Sequence, residues 1–305
     1  MRARPLALVG PTAAGKTAAA LEIAEALGAE IVSVDSMLVY RGMDIGTAKP
    51  TAAERARVPH HLIDLVDPSE SFSVERYQRL GREVLAEIAA RRRPALLVGG
   101  SGLYYRALVD DLTFPGTDDA TRRSLEREAE LVGPAGLYGR LRDLDPAAAD
   151  KIEPGNVRRT VRALEVAAVT GSAFSSFASA WERYPSQRVH AAGLRPEPGA
   201  ERLRVRIEAM LAAGWLDEVR GLMRAGFGGW LTATQAIGYA ELVRHLEGAL
   251  SLQDTVGQIV RRTKNLARRQ MAWFRRDPRI RWFPAEGADP AASHAALLDY
   301  LKAGA

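Results

Sequence analysis

Short apolar runs bounded by glycine, proline or polar residues occur early in the chain and again near residue 190. They are residues 5–9, 29–34, 94–98 and 187–194. Short segments rich in apolar residues, even with a few polar ones among them, are typical of strands in a parallel sheet that is covered on both faces. Residues 18–27 and 73–91 have the spacing of helices, with Gly28 ending the first and Ser73 beginning the second. Strands that alternate with helices predict an α/β fold.

The pattern changes after residue 115. Helical segments follow, and no further strand is predicted until residue 187. Glycine and proline interrupt these helices at Gly133-Pro134, Asp145-Pro146 and Pro154-Gly155. A helical block between sheet segments indicates an inserted subdomain. We therefore expect a core of residues 1–117 and 195–305, with a basic helical region at its C-terminal end, and a helical insertion at residues 118–194.

One motif marks a binding site in this pattern. Residues 10–17 fit G-x-x-x-x-G-K-S/T, the phosphate-binding P-loop, and lie between a predicted strand and a predicted helix. The backbone N–H groups of such a loop surround a diphosphate or triphosphate, Lys16 adds positive charge, and Thr17 offers a hydroxyl to Mg²⁺. The expected phosphate-binding residues are Gly10, Pro11, Thr12, Ala13, Ala14, Gly15, Lys16 and Thr17. The motif does not say what is done to the phosphate.

Polar residues follow two other predicted strands, at the edge where ligands bind in an open α/β sheet. Asp35 could hold Mg²⁺, act as a general base, or cap the next turn. Ser101 offers a hydroxyl beside a glycine turn, although a purely structural turn is the alternative. The position where an ATPase carries an acid at the end of its strand is Gly99, which argues against routine ATP hydrolysis.

The composition limits the cofactors, the cellular location and the binding partners that we expect. The 305 residues include no cysteine, which excludes disulfides, thiolate metal sites and cysteine nucleophiles. The histidines His60 and His61 are adjacent and point in different directions, so we do not expect them to share a metal. No apolar stretch is long enough to span a membrane, and none reads as an export signal, so we expect a cytoplasmic protein. The net charge of +5 hints at a polyanionic partner.

Positive charge is concentrated in two helical segments before the C-terminal region. Arg158, Arg159 and Arg162 lie on or beside one helix face, which suits phosphate contacts or a simply solvated surface. Arg202 and Arg206 are four residues apart and share a face of a later helix. Each pair or triplet could therefore bind an anion.

The most basic segment is the C-terminal helical region. It carries seven cations between residues 261 and 276. The aromatic residues interleaved with it are Trp273, Phe274, Trp282 and Phe283. A basic helix with aromatic side chains indicates binding to a nucleic-acid backbone, and we favour this over a membrane surface.

Together these segments resemble the bacterial tRNA isopentenyltransferases, also called tRNA dimethylallyltransferases or the IPP transferase family. The resemblance extends over nearly the whole chain. Its landmarks are the P-loop, residues 34–36 with Tyr40, and residues 43–50, 59–61, 99–104, 159–165, 236–239 and 269–274. The Asp-Ser pair followed by Asp-Ile-Gly-Thr-Ala-Lys-Pro is far more specific than the P-loop alone.

The resemblance implies a P-loop kinase-like fold with a helical insertion. It also implies transfer of a dimethylallyl group from dimethylallyl diphosphate to the N6 amine of adenine 37 in tRNA, with Mg²⁺ at the P-loop. Asp35 would be the base, and Ser101 would hydrogen-bond the reacting centre or the bridging oxygen. Arg206, or alternatively Arg202, would bind the diphosphate. The implied tRNA contacts, centred on the anticodon stem-loop, are Asp35, Ser36, Met37, Leu38, Ser101, Arg122, Arg158, Arg159, Arg162, Gln235, Ala236, Ile237, Gly238, Tyr239 and Ala240. We expect a monomer.

Three residues depart from the usual pattern of that family. Ser101 stands where threonine is usual, which keeps the hydroxyl. Leu38 replaces a common glutamine and Ala240 a common lysine, so each removes one polar contact. Three other functions remain open: a small-molecule P-loop kinase, an RNA-binding protein without catalysis, and a prenyltransferase of free adenine nucleotides. The long basic surface argues against the first and the third.

Overall fold

A parallel sheet organises the parts of the chain before residue 110 and after residue 188. The structure, a computed structural model, describes residues 4–110, 112–185, 188–195, 199–230, 232–285 and 290–305. Within these residues the strands are Leu6–Val9 (β1), Glu30–Ser33 (β2), His60–His61 (β3), Ala95–Gly99 (β4), His190–Arg195 (β5) and Ile280–Pro284 (β6). They pair in parallel in the order β3-β2-β4-β1-β5-β6. The predicted α/β fold with a parallel sheet flanked by helices is confirmed.

Helices connect and cover the strands. They are Lys16–Leu27 (α1), Ala52–Arg57 (α2), Val74–Ala90 (α3), Gly102–Val109 (α4), Asp119–Leu144 (α5), Pro146–Ala149 (α6), Val157–Thr170 (α7), Ala200–Ala212 (α8), Trp215–Arg224 (α9), Tyr239–Leu246 (α10), Leu252–Phe274 (α11) and Pro290–Lys302 (α12). As predicted, α1 ends at Gly28, whose φ is 60°, and the hydroxyl of Ser73 caps α3. None of the helices in the described ranges is both long and apolar enough to cross a membrane.

The apolar runs are strands because both faces of the sheet are covered. All four residues of β1 are buried, with at most 1% of their surface exposed. Leu6 and Leu8 belong to a core that includes Ile23 of α1 and Leu301 of α12. Burial of such side chains contributes about 1.5–3 kcal/mol each, so this core fixes the strand ends that carry the site.

The chain divides into two compact units. Residues 1–110 and 185–305 form one, and residues 111–184 form the other. The boundary that we predicted at residue 194 is wrong, because β5 pairs with β1 and β6 and belongs to the sheet. Apolar residues alone could not assign this strand to a unit, since its partners are far away in sequence. Gln187, where we expected the strand to begin, lies outside the described residues.

The smaller unit has a core of its own. Leu137 and Leu141 of α5 pack with Val161 and Leu164 of α7, and all four are buried. The break predicted at residues 133–134 is present, since Gly133 has a φ of 73° and a non-helical conformation within α5. This core makes the insertion a compact helical unit.

Candidate active site

The P-loop joins β1 to α1 in a conformation that requires glycine. Gly10 has a φ of 146°, and a Cβ atom there would lie 2.5 Å from the carbonyl oxygen of Leu194. Gly15 has a φ of 77° and directly precedes α1, whose N-terminal N–H groups therefore face the loop. The Lys16 ammonium donates to the carbonyl oxygen of Pro11 at 2.6 Å. Burial lowers the pKa of Lys16 to about 8, partly offset by the nearby charge of Asp35.

Two cavities meet beside this loop. The P-loop cavity, of about 370 Å³, is lined by residues 12–18 and extends past β2 to His60. The α11 cavity, of about 520 Å³, is lined by side chains of α8 and α11 and by Trp215. Six residues line both cavities: Thr12, Asp35, Thr47, Gly100, Arg206 and Gln270. These shared residues define the junction, where a group held at the P-loop can meet a group held in the α11 cavity.

Asp35 lies at the junction, two residues after the end of β2. Its Oδ1 accepts a hydrogen bond from the backbone N–H of Met37 at 2.8 Å, so it does cap the following turn. Among the described residues, Oδ2 has no hydrogen-bond partner. One oxygen therefore fixes the carboxylate and the other is free to accept a proton or a ligand.

Ser101 lies at the end of β4, in the wall of the α11 cavity. The predicted glycine turn is also the start of α4, a helix that the sequence analysis missed, and Ser101 caps it by accepting from the N–H of Tyr104 at 3.3 Å. A Cβ atom on Gly99 would lie 2.4 Å from the carbonyl oxygen of Val34. An acid at the end of β4 would force the backbone that follows β2 to shift, because Val34 lies too close for a side chain.

The two arginines of α8 have different environments. Arg206 lines both cavities, and among the described residues it makes no hydrogen bond or ion pair. Burial lowers the pKa of its guanidinium. Arg202 is exposed and lines neither of these cavities. Arg206, the first choice of the sequence analysis, is therefore the one that can bind an anion at the P-loop.

The site also contains residues that the sequence analysis did not assign. Gln270 of α11 accepts a hydrogen bond from the backbone N–H of Thr12 at 2.8 Å. Trp273 packs on Gly102, where a Cβ atom would lie 2.1 Å from the ring. Thr47 lines both cavities, and Trp215 lies in the wall of the α11 cavity. The sequence offered one signal for three of these residues, their position in segments that resemble the family. Thr47 lies in residues 43–50, and Gln270 and Trp273 lie in residues 269–274.

Most of the residues predicted to contact tRNA near the core lie around the cavities. Leu38 lines the P-loop cavity. The α11 cavity is lined by Asp35, Ser36, Met37, Ser101, Gln235, Ala236 and Ile237. Gly238, Tyr239 and Ala240 line neither of them. Tyr239 is buried, and its hydroxyl donates a hydrogen bond to Glu218 at 2.7 Å. Its ring packs against Trp215, so it supports the wall of the α11 cavity from behind.

The four arginines predicted in the smaller unit fall into two pairs. Arg122 and Arg162 each donate to the carboxylate of Glu165, which is fully buried. Their first role is therefore to neutralise that charge. The side chains of Arg158 and Arg159 are exposed and make no hydrogen bond or ion pair among the described residues. Only this second pair is free to contact phosphates.

The predicted aromatic surface of the C-terminal region is largely wrong. Phe274 and Phe283 are buried, because Phe274 ends α11 inside the protein and Phe283 belongs to β6. The ring of Trp282 packs over Gly193 of the neighbouring strand. Strand β6 was not predicted from the sequence, so its core side chain Phe283 was grouped with the surface aromatic residues. Trp273 alone of the four lines the α11 cavity.

The oxygen atoms that could hold Mg²⁺ are few. Thr17 is exposed and lines the P-loop cavity together with Asp35. In the described part of the chain, His, Cys, Asp and Glu side chains form no group of three or more suited to a metal. The residues present fit an ion of the Mg²⁺ type, which keeps several waters and takes further ligands from phosphates. The adjacent histidines have separate partners, since His61 bonds to Glu30 and His60 to the carbonyl oxygen of Val58.

Sequence comparison with known proteins identifies the family of this chain. The model of the family described as IPP transferase matches residues 38–277. The chain belongs to the IPP transferase family. Its relatives include a tRNA dimethylallyltransferase of Desulforudis audaxviator, 46% identical over 92% of both chains. Another, from Streptomyces coelicolor, is 47% identical over 94% of this chain and 92% of its own.

Solved structures that are similar to this IPP transferase also come from enzymes of tRNA prenylation. The full-length tRNA isopentenylpyrophosphate transferase of Bacillus halodurans is similar with a TM-score of 0.71 and 37% identity, over 99% of this chain and 96% of its own. A eukaryotic dimethylallyltransferase acting on tRNA has a TM-score of 0.75 and 25% identity, over 95% and 77% of the two chains. The similarity therefore includes both the sheet unit and the helical insertion.

Proposed function

We propose that this protein transfers a dimethylallyl group from dimethylallyl diphosphate to the N6 amine of adenine 37 in tRNA, with release of diphosphate. The observation that carries this proposal is the junction of two cavities at Asp35 and Arg206. One cavity contains the P-loop, which suits the diphosphate. The other is lined by Met37, Ile237 and Trp273, which suit the face of an unstacked base.

The chemistry takes place at a carbon atom. The bond between the allyl carbon and the diphosphate oxygen breaks, and its electron pair stays on the oxygen. This growing negative charge would be stabilised by the P-loop N–H groups, Lys16 and Arg206. These donors already point at the site, so they need not reorganise during the reaction. Mg²⁺, held by the hydroxyl of Thr17 and by phosphate oxygens, would neutralise a further part of it.

The adenine amine needs a base because its lone pair is delocalised into the ring. Asp35 Oδ2 accepts the proton from N6 as the new nitrogen–carbon bond forms, while Oδ1 stays bonded to the N–H of Met37. Ser101, in the wall of the α11 cavity, would donate a hydrogen bond from its hydroxyl to the reacting centre or to the bridging oxygen, and would keep its proton. The proton therefore ends on Asp35 and the charge on the diphosphate.

The tRNA would contact both units of the chain. In the sheet unit the residues around the α11 cavity would hold the turned-out base. In the insertion Arg158 and Arg159 would contact phosphates, because they are exposed and have no partner in the described residues. Loss of the usual polar contacts at Leu38 and Ala240 remains a prediction, as do the cytoplasmic location and the monomeric state.

The test uses the purified protein with Mg²⁺, bulk tRNA and dimethylallyl diphosphate, followed by nucleoside analysis of the tRNA. We expect N6-dimethylallyladenosine and an equal amount of diphosphate. Parallel reactions replace the allyl donor with ATP, or the tRNA with AMP. Transfer of the ATP γ-phosphate without prenylation would make the protein a kinase, and equal prenylation of AMP would make tRNA an incidental substrate.

A further inference from the structure

Gln270 lies on α11 where the P-loop cavity and the α11 cavity meet, 258 residues from its partner Thr12. We propose that its amide nitrogen donates a hydrogen bond to the diphosphate of the allyl donor. Gln270 is then a further catalytic residue, and this inference rests on the prenyl transfer proposed above.

The direction of the amide follows from its partner. The backbone N–H of Thr12 can only donate, and it lies 2.8 Å from the side-chain oxygen Oε1. An amide turned the other way would bring two donors together. The P-loop itself therefore determines which end of the Gln270 side chain is oxygen, and Nε2, with its two N–H donors, is the other end.

Nε2 is available to a ligand. It packs against Gly100, where a Cβ atom would lie 2.5 Å away, so glycine at that position leaves room for the amide. Among the described residues Nε2 has no hydrogen-bond partner, and it is not one of the buried unpaired atoms, which are Ser33 Oγ, Tyr105 OH and Trp215 Nε1. It therefore opens into the cavity junction.

The groups around Nε2 favour an anion as its hydrogen-bond partner. The oxygen of the same amide is bonded to the P-loop, and Lys16 and Arg206 line the same cavity. A donor left unpaired when a ligand excludes water would be costly, whereas a phosphate oxygen would satisfy it. The adenine ring, which also offers acceptors, would lie on the far side of the junction in the α11 cavity.

The role in the reaction is electrostatic and involves no transfer of a proton from Gln270. As the carbon–oxygen bond breaks, its electron pair moves to the diphosphate, and the N6 proton goes to Asp35. The Nε2–H group is already oriented by Thr12, so its hydrogen bond strengthens as the charge grows.

The decisive variant is Gln270→Glu, which has nearly the same shape. Its carboxylate can still accept from Thr12 but places a negative charge where Nε2 stood. We expect binding of inorganic pyrophosphate with Mg²⁺ to weaken at least about 10-fold and kcat/KM for prenylation to fall about 10²- to 10³-fold, the usual effect of losing one such donor. Affinity for tRNA should be unchanged. Gln270→Met, which keeps the volume without charge, should weaken pyrophosphate binding less and also leave tRNA affinity unchanged.

A matched control is Gln253→Glu, the same substitution on an exposed position of α11 that lines neither cavity. It should change none of these quantities. If pyrophosphate affinity is normal in both Gln270 variants while tRNA affinity or prenylation falls, the amide contacts the base and the proposal is overturned. If both variants prenylate normally, it is overturned as well. A wild-type protein that binds pyrophosphate but does not prenylate tRNA would refute the proposed function instead.

Discussion

At the scale of single residues, the site uses side chains whose two polar ends have different tasks. Asp35 commits one oxygen to the N–H of Met37 and keeps the other free, and Gln270 does the same with the N–H of Thr12. The backbone thus orients each group before a ligand arrives. This is the structural form of preorganisation, which reduces the cost of alignment during the reaction.

Asp35→Asn separates these two tasks. The amide oxygen can still accept from Met37, so the turn and the fold should be retained. The base is lost, and we expect prenylation to fall about 10²- to 10⁴-fold, the usual contribution of general base catalysis. Single-turnover prenylation measures the loss, and tRNA and pyrophosphate affinities serve as controls. A rate near that of the wild type would show that Asp35 is not the base.

Lys16 predicts a pH dependence of diphosphate binding. Its pKa in the free protein is lowered to about 8, so the ammonium loses its proton as the pH rises through that value. A bound diphosphate favours the charged form and raises the pKa again. The contribution of Lys16 to the affinity should therefore be constant below about pH 7 and fall by up to about 10-fold per pH unit above pH 8, as proton linkage requires.

Calorimetric titration with pyrophosphate across this range measures the effect. Pyrophosphate itself titrates, so the comparison is with Lys16→Met, which lacks the ionisable ammonium and which we expect to bind more weakly. The additional fall above pH 8 should be absent in this variant. An identical pH profile in both proteins would mean that Lys16 does not titrate in this range.

At the scale of elements, one carboxylate joins a loop to two helices. Glu218 of α9 accepts from the backbone N–H groups of Asp44, Ile45 and Gly46, at 2.8, 2.7 and 3.3 Å. It also accepts from the hydroxyl of Tyr239 at the start of α10. The same loop presents Thr47 to both cavities. Glu218 therefore positions part of the site without lining it.

Glu218→Ala should loosen this loop. Several charge-assisted hydrogen bonds would be lost, which predicts a decrease of about 1–3 kcal/mol in the free energy of unfolding. It should also raise the KM for tRNA more than it lowers kcat. Urea unfolding and steady-state kinetics measure both effects. Asp217→Ala, beside it on α9, removes a carboxylate that is 80% exposed, and this control should change neither.

The features that the sequence predicted best are those that depend only on residues close together in the chain. The P-loop with β1 and α1, Asp35 at the end of β2 and the cap at Ser73 are local features with their own signals. Gln270, Trp215 and Glu218 were not predicted as site residues, because only the tertiary fold brings α9 and α11 to the strand ends. For the same reason β6 was missed, and Phe283 was assigned to the surface although the sheet buries it.

At the scale of the whole molecule, excess positive charge is available for RNA only where it is not already paired. Lys49, on the landmark loop, is buried and ion-paired with Asp44 and Asp64, and Arg262 of α11 pairs with the buried Glu241. Arg122 and Arg162 pair with Glu165. The net charge of +5 therefore says less about RNA binding than the list of unpaired arginines does.

Arg158 and Arg159 provide the test. The double variant Arg158→Ala/Arg159→Ala should weaken tRNA binding and reduce the slope of log affinity against log salt by about 1 for each arginine. Its melting temperature should be unchanged. Arg122→Ala is the contrasting variant, and it should lower the melting temperature because Glu165 is fully buried. A normal salt slope in the double variant would exclude both arginines from the RNA interface.

The glycine at the end of β4 has a consequence for the evolution and engineering of this protein. Because the carbonyl oxygen of Val34 lies only 2.4 Å from a Cβ placed on Gly99, an acid at this position requires the backbone at Val34 to shift. Gly99→Asp would have to separate two paired strands at the centre of the sheet before it could activate water. If the P-loop binds the diphosphate as proposed, this crowding at β4 opposes the gain of nucleotide hydrolysis by one mutation at this position.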